Sequence, residues 1–266
     1  MTALSSNTAT LDADRPGTGA TPRTPSLATL ARVELRKSYD TRAGRWLLIV
    51  IGLAVVAVLT LALFVPDIPK SFADHLEFTQ LPMSILLPVL GILLVTSEWS
   101  QRTAMTTFTL VPRRSRVLVA KMLAGAALAL LGVAVATLAS ALTTVLTPVF
   151  TDVATDWNVS GVLLGQVLVV QVVSVLAGIA FGMLLLSSPL AIVTFFVLPT
   201  VFTILVGVVP ALDWVRDWLD LGTTSMRLFQ EGLDAQDWAQ FGTSVALWVA
   251  LPMVLGWIRI QRSEIS

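Results

Sequence analysis

The 266-residue chain has no cysteine, one histidine and one tyrosine, and only 13% of its residues are charged. Without cysteine there is neither a disulfide nor a thiolate metal site. The single histidine, His75, stands beside Asp74 and Glu77. In a short acidic loop between apolar runs, that trio reads as a solvated patch rather than a metal site. No charged residue occurs between Asp156 and Asp213. The phosphate-cradling pattern G-x-x-x-x-G-K-[ST] is missing, so the motif assigns no ATPase to the chain. Alternating strands of about ten residues, the mark of a membrane β-barrel, are missing too.

What remains is apolar. Hydrophobic residues make up 55% of the chain and mean hydropathy is +0.83. A soluble domain of this size does not bury that much apolar surface. Runs of about 20 apolar residues are membrane spans. Six are predicted, at 46–65, 81–96, 117–147, 161–186, 190–209 and 239–258. The charge-free stretch after Asp156 is too long for one crossing of a core about 30 Å thick at 1.5 Å per residue. Ser187–Pro189 is its natural break. The third run is over-long and must tilt or project.

The segments between the runs are segregated by charge. With the N-terminus on the cytoplasmic side, the inner segments carry 14 of the 17 basic and six of the 17 acidic residues, a net +8; the outer ones carry three and eleven, a net −8. That is the positive-inside pattern, and it places both termini in the cytoplasm. Trp46, Trp99 and Trp257 fall near the inner boundary, and Trp157, Trp214, Trp218 and Trp238 near the outer one, where indoles collect. The reading is an all-α integral membrane protein of six transmembrane helices.

Residues 1–25 are rich in Thr, Ala, Ser, Pro and Gly and lack the apolar content to order themselves; they read as a disordered cytoplasmic tail without the apolar core of a signal peptide. Residues 26–45 read as an amphipathic interfacial helix begun by Thr24 and Pro25, with Leu27, Leu30, Ala31, Leu35 and Tyr39 on one side. Arg32, Arg36 and Lys37 lie elsewhere, and Glu34 intrudes on the apolar arc. Residues 46–260 are the six-span domain, and 261–266 a cytoplasmic tail. An acidic outer segment, 210–238, contains Leu212, Val215, Trp218, Leu219 and Leu221 at amphipathic helical spacing.

The spans themselves read as free of ionisable groups, with His75 in the first outer loop. That argues against an ion relay. Weakly polar residues mark their faces instead. Gly132, Ala136 and Ser140, and Ser174, Gly178 and Gly182, are spaced by four, as in closely packed helix pairs. Thr137, Ser140 and Thr144 in the third span, Gln166 and Gln171 in the fourth, and Thr200 and Thr203 beyond Pro199 in the fifth are candidates for a translocation path. The alternative is ordinary packing, with hydroxyls bonded to their own helix.

The inner loop, 97–116, is the most distinctive stretch. Glu98, Trp99, Arg102, Thr103, Thr106, Thr107 and Leu110 form a short surface element in which Glu98 and Arg102 pair at i,i+4. Pro112 ends it. Arg113, Arg114 and Arg116 then sit at lipid headgroups, and Lys121 snorkels toward them. The order Glu98, Trp99, Thr103, Thr107, Pro112, Arg113, Arg114, Val117, Ala120, Lys121, between the second and third of six spans, resembles the ABC transporter type-2 permeases, especially actinobacterial ones. The resemblance covers roughly residues 27–260. Leu110 is displaced by one position, and Arg102 stands where many members have glycine.

That resemblance implies a plasma-membrane subunit of a bacterial ABC exporter. Its inner loop would be a coupling helix docked in a separate cytoplasmic ATPase subunit, which holds ATP and Mg while this chain binds no cofactor. A second permease subunit, alike or different, completes the unit. The 210–238 segment would belong to an outer gate, and nucleic acid is not a partner. Two other readings stay open: an ATP-independent channel or ion-coupled carrier, and a non-transporting immunity or scaffold membrane protein.

Overall fold

The computed structural model describes residues 25–65, 67–101, 113–230 and 232–262. Ser26 starts helix α1 (Leu27–Asp40) by accepting the Thr29 amide at 3.1 Å. Thr41 ends α1 in an extended conformation and at once caps α2 (Arg42–Phe64), accepting the Gly44 amide at 3.1 Å. Of the expected tails, 1–25 and 261–266, residues 1–24 and 263–266 lie outside the described residues, while 261 and 262 continue the last helix.

Helix α3 (Phe72–Ser100) begins nine residues before the expected span. A reciprocal capping box of Ser71 and Asp74 sets its start. His75 is therefore not in a solvated loop: it lies in the first turn of a spanning helix and is fully buried. Pro82 and Pro88 sit inside α3.

Helix α4 (Arg114–Phe150) has 37 residues, about 55 Å of helix, so it extends well past a 30 Å hydrocarbon layer. Helix α5 (Gly161–Leu185) stops at Leu186, which takes a left-handed conformation at φ 55°. The chain turns there and enters α6 (Ser188–Val208) with Pro189 in its first turn. The long uncharged run is thus two helices, divided at the expected place.

A 3₁₀ turn, Pro210–Leu212, leads into two short helices, α7 (Asp213–Leu219) and α8 (Leu221–Arg227). The continuous amphipathic helix expected there is broken at Asp220, whose carboxylate caps α8 instead. The last span is α9 (Ala235–Val245), one turn of π-helix at Ala246–Ala250, and α10 (Leu251–Arg262). Gln240, Ser244, Trp248, Pro252, Gly256 and Ile260 are buried along it.

Among the described residues there are no strands, and six helices are long and apolar enough to cross a membrane. Helices α3 and α5 form the centre, each 56% buried over its most apolar stretch; α6 is at the edge, at 11%. The outward surfaces of the spans carry Leu53, Val56, Leu138, Leu142, Ile204 and Val208, all exposed, as lipid-facing helices do.

The centre is held together by close backbone approach. A Cβ added at Gly178 of α5 would stand 2.1 Å from the Pro88 carbonyl oxygen of α3. The row of small residues therefore lets two backbones touch. At Gly132 a Cβ would meet only the side-chain ends of Leu87 and Met83, at 3.1 Å. Gly178→Ala is expected to cost about 1–3 kcal/mol, because backbone must move. Gly132→Ala is expected to cost less. Melting temperatures of the two purified variants check the order.

Candidate functional site

Two buried polar arrangements stand out, one at each end of the bundle. The first is at the end that carries α1 and the α3–α4 connection. Glu34 of α1, Glu98 of α3 and Lys121 of α4 are each at most 6% exposed. The Lys121 ammonium lies 2.6 Å from Glu34 Oε2 and 3.1 Å from Glu98 Oε1, and it donates to the Leu94 carbonyl at 2.7 Å. These contacts use all three of its donors. Lys37 lies 2.7 Å from both Glu34 Oε1 and Glu98 Oε1. Burial works against the Lys37 charge, but the facing carboxylates outweigh it and raise its pKa above the ordinary 10.5.

This cluster corrects three expectations. Lys121 does not snorkel to the headgroups, because two carboxylates and a carbonyl satisfy it inside. Glu98 turns inward to two lysines rather than standing on a surface element. The face that α1 buries carries Glu34 and Ser38, while Leu27 and Tyr39 are exposed. Charge pairing docks this helix together with Leu35, which packs on the apolar core. Glu34, which sequence reading noted as out of place, is the signal that could have found the cluster.

The other inner-loop residues divide. Trp99 is half-buried against the apolar core. Arg102, Thr103, Thr106, Thr107 and Leu110 lie outside the described residues. Arg113 is exposed at the start of α4. Arg114 donates to the Ile260 carbonyl at 2.7 Å, and Arg116 to the Pro25 carbonyl at 2.5 Å. These two arginines tie α4 to the ends of α10 and α1.

The second arrangement is a polar seam between α3, α4 and α5, nearer the opposite end. His75 Nδ1 lies 2.9 Å from Thr144 Oγ1. Gln171 Nε2 donates to Gln80 Oε1 at 2.6 Å. Ser140 lies one turn from Thr144, and both are fully buried; Gln166 is buried as well. Among the described residues, His75 Nε2, Ser140 Oγ and Gln171 Oε1 have no hydrogen-bond partner. Each such buried group costs about 1–3 kcal/mol, so the seam holds hydrogen-bonding capacity that the fold itself does not use. His75, Thr79 and Gln80 were not expected here: His75, expected in the first outer loop, belongs to the first turn of a long apolar helix.

The remaining path candidates behave differently. Thr137 and Thr200 donate to carbonyls of their own helices, Val133 and Phe196. Thr203 donates to the Pro199 carbonyl and to Asp220 Oδ1 at 2.9 Å. Thr203 thereby anchors the 210–238 segment to α6. The same segment is held by Trp248 Nε1 on the Leu219 carbonyl and Thr243 Oγ1 on the Trp218 carbonyl, both at 2.7 Å.

No known protein-family model and no curated protein matches this chain.

Lys121→Met leaves Glu34 and Glu98 with one lysine between them. It is expected to destabilise the protein by about 3–5 kcal/mol. Adding Glu34→Gln removes the uncompensated charge and is expected to restore more than half of that loss; thermal melts of the single and double variants measure both. The Lys37 contribution has a raised pKa, so it is fully present below pH 10.5 and lost only as pH rises through the higher folded value. A melt series should therefore be flat in this term through neutral pH.

Proposed function

We propose that this chain is the membrane-spanning subunit of an ABC exporter, inserted in a bacterial plasma membrane with both termini cytoplasmic. A separate cytoplasmic ATPase holds ATP and Mg and does the hydrolysis. A second permease subunit pairs with this one, and the chain itself is not an enzyme. The observation that carries the reading is the Glu98–Lys121 ion pair. The motif-bearing connection leaves α3 just after Glu98 and enters α4 before Lys121, and the cluster fixes both helix ends to α1. A push on the connection from a cytoplasmic partner then moves α1, α3 and α4 as one body. Glu98 and Lys121 are positioning residues in this scheme, and Trp99 with the threonines after it supplies the docking surface. Thr144, Ser140, Gln166 and Gln171 belong to the polar wall of the path, and the 210–238 segment closes its outer end.

His75 supports a second reading. An ionisable imidazole within a spanning helix, bonded to Thr144 on a neighbouring helix, is the kind of group an ion-coupled carrier uses. Reconstitution separates the two. The exporter reading expects transport in liposomes only when the ATPase and ATP are supplied. Transport by the purified chain driven by a pH gradient, and lost in His75→Ala, overturns it.

Within the exporter reading, Trp99→Ala is expected to lower substrate-stimulated ATP hydrolysis about tenfold, the equivalent of ~1.4 kcal/mol of docking, with insertion retained and thermal stability lowered by the loss of its packing on the core. Full stimulation in the variant rejects the docking role.

A further inference from the structure

A cavity of about 430 Å³ opens where α1 meets α2, against the last turns of α3. Its size is within the ~300–1,000 Å³ of ligand pockets. Leu90, Leu93 and Leu94 of α3 form an apolar floor, and Lys37, Arg42 and Gln101 form a polar rim. The two characters are separated in space: the floor lies along the body of a spanning helix, and the rim lies where α2 begins and α3 ends.

That placement is the level of lipid headgroups for any membrane the six helices cross. Trp46, exposed one turn into α2, is a residue type that settles at this depth. The rim has cationic capacity to spare. Arg42 is exposed and makes no hydrogen bond or ion pair with any described residue. Lys37 spends two donors on Glu34 and Glu98 and keeps a third. The N-terminal end of α2 adds a weaker attraction for negative charge.

We propose that this cavity binds an anionic phospholipid, with the headgroup phosphate at Arg42 and Lys37 and an acyl chain along Leu90, Leu93 and Leu94. A basic pocket between spanning helices at a membrane surface suits this ligand class. The apolar floor distinguishes it from a site for free phosphate, which has no use for three leucines. Because Lys37 is shared with the ion cluster, the bound headgroup abuts the residues that hold α1 to α3. The inference rests on the spanning helices and not on the exporter reading, so the test below uses the chain alone.

The full-length protein is purified in detergent and titrated with phosphatidylglycerol, phosphatidylcholine or inorganic phosphate, and retained lipid is counted by native mass spectrometry. Phosphatidylglycerol is expected to be retained over phosphatidylcholine by roughly fivefold. Arg42→Gln should abolish that preference, whereas Arg36→Gln, whose partner Asp40 lies on exposed α1 surface, should leave it intact. Leu93→Trp, which fills the floor while keeping both cations, should prevent retention of either lipid. A photoreactive residue in place of Leu93 should give a phospholipid adduct. Equal retention of the two lipids, an unchanged preference in Arg42→Gln, retention in Leu93→Trp, displacement of the lipid by inorganic phosphate, or an adduct to a second copy or another protein would each overturn the proposal.

Discussion

An ammonium group held between two carboxylates, out of reach of water, governs the end of the bundle where α1, α3 and α4 meet. Three helices far apart in sequence each contribute one charge, and none of the three is stable in that position without the others. Removing a charged side chain from water costs several kcal/mol, which only close partners offset. The consequence is mutual dependence. Helix α1 packs Leu35 on the core, and Glu34 beside it fixes the helix through the cluster. The ends of α3 and α4 are set by the same contacts, which is why the connection between them joins two fixed points.

The centre of the bundle follows a different rule. Glycines on α5 bring its backbone against α3, and dispersion contacts over many atoms do the rest. Close packing there leaves α6 and α2 to cover the flanks with lipid-facing leucine and valine. Beyond the close-packed centre, toward the end opposite the ion cluster, lies the seam of His75, Thr144, Ser140 and Gln171, whose hydrogen-bonding groups exceed what the surrounding helices satisfy. A tight centre and an under-satisfied seam in the same three helices mean that polarity there is tolerated for a purpose other than stability.

Much of the architecture was legible in the sequence, for a physical reason. Each span must be long and apolar over consecutive residues, so hydropathy alone found six helices and the break before Ser188. The start of α3 is hidden in the sequence because Asp74, His75 and Glu77 look like a solvated loop, although Ser71 and Asp74 stand at the spacing of a capping box. The ion cluster left only one trace in the sequence, Glu34 on an apolar arc, and its partners were not legible. Its bonds join residues 61 and 87 positions apart, and no periodicity carries that information. Lys121 in particular has the spacing of a snorkelling residue, and only the approach of α1 turns it inward. The break at Asp220 was hidden for a similar reason: apolar spacing across 212–221 suggested one helix, while a carboxylate that caps its successor made two.

The widened turn at 246–250 has a geometric consequence. Six inward residues of the last span, from Gln240 to Ile260, recur at every fourth position. In a uniform α-helix, a stripe of that spacing rotates by about 40° per step and would have wound roughly 200° around the axis by its end. One surplus residue in the turn takes back about 100° of this, so Ser244 can meet Thr224 at one end while Gly256 abuts Leu184 at the other. The bulge acts as a phase correction: it lets a single rod present one continuous flank to partners that a regular spiral would have carried out of alignment.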